Sequence, residues 1–138
     1  MPSFVFRWLM TVEPGHCDPS GLVSTRRLFE YFDTSTWGLF EAALGVKRQD
    51  FPAMLGMMPL VKVRLDRRKA LMFGDVIAIA SRVVEFRRSS FEVEHRITLD
   101  GHIAVDCGET RVWAVRAADA PHGLRSRAIS AEIKARFG

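Results

Sequence analysis

Along the first stretch of the chain Phe4, Phe6, Trp8 and Met10 are interleaved with Val5, Arg7, Leu9 and Thr11. A period of two puts the aromatic set on one face, so residues 3–12 read as a strand with a heavily buried side. The run Glu13-Pro14-Gly15-His16-Cys17-Asp18-Pro19-Ser20-Gly21 ends it, because its two prolines and two glycines suit neither a strand nor a helix. The period then changes. Over residues 25–44, Leu28, Phe32, Leu39 and Ala43 make one helical stripe, with Phe29, Phe40 and Leu44 beside it. Ser24 stands where an N-cap hydroxyl is expected, and Gly45 where a left-handed residue closes a helix. So wide an aromatic stripe predicts a helix buried along most of its length.

After a loop over 46–56, strands are predicted at 57–67, 75–87, 90–99 and 102–115. Asp100-Gly101 is a two-residue hairpin signal, and Arg87-Arg88-Ser89-Ser90 makes a second turn. Residues 117–124 read as loop and 130–137 as a short helix. One strand, one long helix and four antiparallel strands make an α+β arrangement, with a curved sheet wrapped around the helix. A sheet of this kind leaves an edge free to pair with a second subunit. With 138 residues and no linker or repeat, a single domain over 1–138 is expected.

Composition narrows the function classes. No apolar run approaches the roughly 20 residues that span a bilayer. The first ten residues lack the pattern of a secretory leader. Only Cys17 and Cys107 are present, against the four or so that begin a disulfide framework, so a reducing cytoplasm is expected. The net charge of +4 favours an anionic partner: nucleic acid, an acidic membrane or a phosphorylated small molecule. Charge alone does not choose among them. The arginines are not interleaved with exposed aromatics, so neither nucleic acid nor membrane is the expected partner.

Asp18 stands on the rigid loop, a few residues before the helix start, where the unpaired amides around Ser24 to Arg26 form a partly positive site. A carboxylate facing such donors across a carbonyl can attack it or activate water while the amides stabilise the oxyanion. On local chemistry alone, capping the Pro19-Ser20-Gly21 turn is the favoured use of Asp18. His16, Cys17 and Asp18 are adjacent and point apart, so no metal is expected, and no cofactor is called for. His16 is expected to hydrogen-bond within the loop. Met54, Met57 and Met58, with Phe51 and Leu55, suit an adaptable pocket or plain core filling. Lys62, Arg64, Arg67, Arg68 and Lys69 read as a solvated face.

The string Asp18-Pro19-Ser20-Gly21-Leu22-Val23, followed by Tyr31-Phe32-Asp33, resembles the signature of the 4-hydroxybenzoyl-CoA thioesterase family. Pro59-Leu60-Val61, Gly74-Asp75, the turn over 86–91, Glu109-Thr110-Arg111-Val112-Trp113 and the basic segment over 124–129 follow in matching order. The resemblance implies a hot-dog fold, a homo-oligomer (dimer or tetramer) and hydrolysis of an acyl-CoA thioester. It implies Asp18 as nucleophile or general base and the amide of Thr25 as the group that polarises the carbonyl. It also implies that the CoA phosphates meet Arg87, Arg88, Arg125 and Arg127, with Ser89 and Ser90 as neutral donors; arginine forks match phosphate geometry. Ser24-Thr25-Arg26-Arg27 departs from the aromatic-Pro-Asn-aromatic stretch of the family, which loosens the identity of the acyl group. A non-catalytic CoA or acyl-ligand binder on the same fold is the alternative that these residues leave open.

Overall fold

The computed structural model describes residues 2–138. Its main elements are β1 (Phe6–Thr11), α1 (Thr25–Leu44), α2 (Phe51–Met54), β2 (Leu60–Arg67), β3 (Val76–Phe86), β4 (Ser90–Leu99), β5 (His102–Val112), β6 (Ala114–Arg116), β7 (Leu124–Ser126) and α3 (Ala131–Ala135). The first five strands form one antiparallel sheet in the order β1-β3-β4-β5-β2, and β6 and β7 form a separate ribbon. Helix α1 lies across the inner face of the sheet. Among the described residues no helix is long and apolar enough to cross a membrane.

The helix begins and ends where its caps dictate. Ser24 Oγ accepts from the Arg27 amide at 3.2 Å, and Gly45 closes the far end at φ 71°. The buried stripe runs through Leu28, Phe32, Leu39, Phe40 and Ala43, as the spacing predicts. Phe29 lies outside it, about one-third exposed, on a second face that the sheet does not cover. The hairpin between β4 and β5 turns through Asp100 and Gly101, both at positive φ, as the two-residue turn requires.

Three elements differ from the sequence expectation. The strand read over 102–115 breaks at Trp113, whose amide donates to Ser89 O at 2.8 Å while its carbonyl accepts from the Arg127 amide at 2.8 Å. Beyond it, β6 pairs with β7, a strand the basic segment did not announce. Residues 57–59 leave the sheet because Met57 exchanges both backbone hydrogen bonds with Ala114. The loop over 46–56 contains α2, which drives Phe51 fully into the core.

The core has two apolar halves. Leu28 and Phe32 of α1 pack with Ile77, Ile79 and Ile97, while Leu39 and Phe40 pack with Phe91, Trp113 and Phe137. Between them Ser35, Thr36, Ser81, His95, Glu109 and Arg111 form a buried polar belt. No buried side-chain nitrogen or oxygen among the described residues lacks a partner.

Where α1 crosses β1, glycine is needed for space. A Cβ on Gly38 would stand 2.5 Å from the Phe6 ring. Alanine gains about 1 kcal/mol of helix propensity, but overpacking of this kind costs about 1–3 kcal/mol. Gly38→Ala is therefore expected to lower the melting temperature by about 3 °C. Phe6→Leu in the same chain should restore part of it, and thermal unfolding of the single and double variants checks both.

Candidate active site

The loop between β1 and α1 is tied to its surroundings at every step. Cys17 and Val23 form an isolated antiparallel bridge, the Asp18 amide donates to Leu22 O at 2.9 Å, and the Val23 amide donates to Leu71 O at 2.9 Å. His16 Nδ1 meets the Tyr31 hydroxyl at 2.8 Å, so His16 docks the loop onto α1. Burial pushes the Tyr31 phenol up to about 12, which keeps it protonated for this contact. The thiol of Cys17 donates weakly to Glu13 O at 3.7 Å. The bridge at Cys17 and Val23 carries Asp18 back to the start of the helix, and a depression of about 320 Å³ is lined by Asp18, Ser24, Arg26, Arg27 and Glu30.

Asp18 is exposed, and its Oδ1 accepts from the Ser20 hydroxyl, the Ser20 amide at 2.9 Å and the Leu22 amide at 3.3 Å. The Ser20 hydroxyl is the largest influence holding the carboxyl below the usual carboxylate range. Desolvation, the next largest influence, opposes it; the Leu22 and Ser20 amides and, least, the charge of Arg67 add to it. One oxygen thus caps the turn, and the carboxylate is ionised at neutral pH. At the helix start the Arg27 amide is taken by Ser24 and the Leu28 amide by Ser24 O, while the amides of Thr25 and Arg26 have no protein acceptor among the described residues. An ionised carboxylate therefore shares one small basin with the helix start, where two amides are free and the dipole stands behind them.

From that basin a groove of about 1000 Å³ runs along the uncovered face of α1, sharing Arg26 and Glu30 with it. Arg26, Phe29, Asp33 and Trp37 lie at helical spacing and mark a stripe about 16 Å long at 1.5 Å per residue. Met57, Met58, Pro59 and Leu60 form the opposite wall, so the methionine cluster divides: Met57 and Met58 line the groove, Phe51 is core and Met54 is 65% exposed. At the base Arg111 Nη2 donates to Asp33 Oδ1 at 3.0 Å, and Arg48 Nη2 donates to Asp33 Oδ2 at 3.2 Å.

Behind Arg111 lies the polar belt, which the sequence reading passed over. Trp8 Nε1 donates to Ser35 Oγ at 3.0 Å; Ser35 and Ser81 hydroxyls meet at 2.5 Å; Ser81 Oγ and His95 Nδ1 meet at 2.5 Å. His95 Nε2 reaches Glu109 Oε1 at 2.9 Å, and Thr36 Oγ1 donates to the same oxygen at 2.7 Å. The ends set the direction. An indole only donates and an ionised carboxylate only accepts, so Trp8 donates into the belt at one end, and Thr36 and His95 Nε2 donate to Glu109 at the other. Arg111 completes the belt with Nε and Nη2 on the two Glu109 oxygens at 3.1 Å each and Nη1 on Met58 O at 2.9 Å. Burial works to raise the Glu109 pKa, but the hydrogen bond and charge of His95 and those of Arg111 hold it to about 2.

The segments that carry the two arginine pairs meet through the backbone. The Ile129 amide donates to Arg88 O at 2.7 Å, which seats residues 125–129 on the β3–β4 turn carrying Ser89 and Ser90. Their side chains differ. Arg87 is held by Glu85 and Glu92, and Arg125 by Asp119 at 2.9 Å, whereas Arg88 and Arg127 pair with no carboxylate among the described residues. Arg67, read from sequence as part of a solvated face, instead turns back on the helix start, with Nη1 on Thr25 Oγ1 at 3.1 Å and Nη2 on Val23 O at 2.9 Å.

Residues 12–137 match the Thioesterase-like superfamily. No curated relative matches the sequence. A 4-hydroxybenzoyl CoA thioesterase, an aspartate-to-asparagine mutant complexed with 4-hydroxybenzoyl CoA, superposes with a TM-score of 0.89 at 20% identity, over 99% of this chain and 100% of that one. 4-Hydroxybenzoyl CoA thioesterase from Pseudomonas sp. strain CBS-3 gives 0.87 at 20% identity, over 97% and 99%. A gentisyl-coenzyme A thioesterase gives 0.81 at 20% identity, over 96% and 100%. Likeness at these identities is likeness of fold: the helix wrapped by a five-stranded antiparallel sheet is the hot-dog fold of these structures. With the superfamily match spanning nearly the whole chain, the protein belongs to the Thioesterase-like superfamily.

Proposed function

We propose that the protein hydrolyses an acyl-CoA thioester to the free acid and CoA. The observation that carries this reading is an ionised Asp18 in one basin with Ser24 and Arg26 at the start of a 20-residue helix, whose Thr25 and Arg26 amides have no protein acceptor among the described residues. The amide of Thr25 polarises the thioester carbonyl. Asp18 either attacks the carbon or takes a proton from the attacking water. The carbon–sulfur bond then breaks, and the CoA thiolate leaves and takes up a proton, from the protonated Asp18 where it acted as base or from solvent where it attacked. In the second case water then cleaves the acyl–Asp18 anhydride to release the acid and regenerate the carboxylate.

The groove takes the acyl group. Phe29 and Trp37 offer it aromatic surface, and solved structures of the same fold include enzymes named for aromatic acyl-CoAs. Release of CoA thiol from a panel of aromatic and aliphatic acyl-CoAs tests the proposal, and cleavage of none of them sinks it. Three donors on one oxygen of Asp18 favour, as the alternative, a protein that binds CoA or an acyl ligand without turnover; calorimetric binding with no hydrolysis would establish that instead.

The CoA phosphates meet the unpaired Arg88 and Arg127, with Ser89 and Ser90 beside them; Arg87 and Arg125 contribute from ion pairs they must first exchange. Arg88→Ala with Arg127→Ala is expected to raise KM about tenfold, a loss of ~1.4 kcal/mol in binding, with kcat within about twofold. An unchanged KM removes them from the site. The outer edge of β2, with Leu60 and Val61 exposed, pairs with a second copy in the same reading, and sedimentation of the native protein tests that.

A further inference from the structure

We infer that Arg67 is a positioning residue for hydrolysis: it sets the helix start that presents the Thr25 amide and adds an unpaired positive charge there. This rests on the proposed thioesterase reading and adds to it a residue that lies outside both the loop and the helix. Arg67 is the last residue of β2, and its backbone is fixed by pairing with Val105 of β5. Its fork straddles Ser24, the N-cap, gripping the residue before it through the Val23 carbonyl and the residue after it through the Thr25 hydroxyl. Val23 is itself buried and bonded to Leu71, so one end of the grip is immobile. The direction of the Thr25 N–H is thereby tied to the sheet and not only to the cap.

The charge matters as well as the fork. Among the described residues Arg67 has no carboxylate within ion-pairing distance, whereas its neighbour Arg68 is paired with Asp66 and Asp106. The other groups around the basin are His16 and Cys17 from the loop and Arg26, Arg27 and Glu30 from α1, of which Arg27 and Glu30 neutralise each other at 2.7 Å. Arg67 thus brings an uncompensated cation from β2 to the start of α1, against Thr25, whose amide is the group proposed to meet the negative charge that develops on the substrate oxygen.

The test uses Arg67→Met and Arg67→Lys in the full chain, with kcat, KM and the acid limb of the pH–rate profile measured, and the Asp18 carboxyl titrated by carbon NMR. In Arg67→Met kcat should fall about tenfold to a hundredfold, as for a small misplacement of a reacting group, with KM within about twofold. The Asp18 titration and the acid limb should move together to higher pH. Arg67→Lys should keep the acid limb near the wild-type position but recover only part of kcat, because an ammonium cannot reproduce the fork. Wild-type kcat in Arg67→Met overturns the inference, as does an unmoved Asp18 titration. Failure of the wild type to cleave any acyl-CoA is a different result: it overturns the thioesterase reading, while the carboxyl titration still reports whether Arg67 acts on Asp18.

Discussion

Asp18→Asn is expected to lower kcat by at least about two orders of magnitude while leaving the fold and the melting temperature nearly unchanged. The substitution separates the two uses of the side chain. Oδ1 caps the turn by accepting from Ser20 and Leu22, and an asparagine carbonyl oxygen accepts the same bonds. What asparagine cannot supply is the negative charge that attacks a carbonyl carbon or takes a proton from water. A side chain that only capped the turn would therefore tolerate the change with little loss of rate.

Asp18→Ala removes cap and charge together, so it should lose both stability and activity and cannot tell the roles apart. Because the Ser20 hydroxyl, with the two amides and Arg67, holds the carboxyl below its usual range, the acid limb of wild-type kcat/KM should lie below that of an ordinary carboxylate. Steady-state kinetics on any acyl-CoA that the wild type cleaves decides the matter. An asparagine variant with wild-type kcat would remove Asp18 from the chemistry and leave it a turn cap.

How far the sequence reached depended on whether a residue's job was local. The helix limits were legible because Ser24 and Gly45 act within one turn of themselves, and the β4–β5 hairpin because Asp100 and Gly101 set their own backbone. The loop carrying Asp18 was legible for the same reason. Arg67 was not: its partners Val23 and Thr25 are more than forty residues away, and in a run with Lys62, Arg64, Arg68 and Lys69 it looks like any solvated cation. One wall of the groove was half legible, since Met57 and Met58 suited a pocket as well as a core; the other was not, because Phe29 and Trp37 stand among Arg26, Glu30 and Asp33 on a mixed face of α1. The polar belt did leave a trace. Glu109 and Arg111 continue the inward-facing series of Val105 and Cys107 along β5, and two charges at inward positions two apart can be buried only as partners.

That belt sets the largest expected effect on stability. Glu109→Gln should destabilise the protein by about 3–5 kcal/mol, a large share of the ~5–15 kcal/mol that holds a typical domain together. Glu109 is only 2% exposed and accepts from His95, Thr36 and Arg111. A glutamine keeps one acceptor oxygen but turns an NH₂ towards a ring of donors, and it leaves Arg111 with a buried charge facing Asp33 alone.

The pH dependence has a definite sign. The folded pKa of about 2 lies below the usual 4.5, so the ionised carboxylate stabilises the fold above about pH 4.5. The roughly 3 kcal/mol of that stabilisation disappears as the pH falls towards 2. The gap between wild type and Glu109→Gln in denaturant unfolding should therefore be widest near neutral pH, narrow below about pH 4.5 and close only towards pH 2. Replacing Glu109 and Arg111 together by methionine should cost less than the sum of the two single replacements, because no charge is then left without its partner. A glutamine variant within about 1 kcal/mol of wild type at pH 7 would mean that Glu109 is not the ionised acceptor on which the whole chain of donors from Trp8 to Arg111 converges.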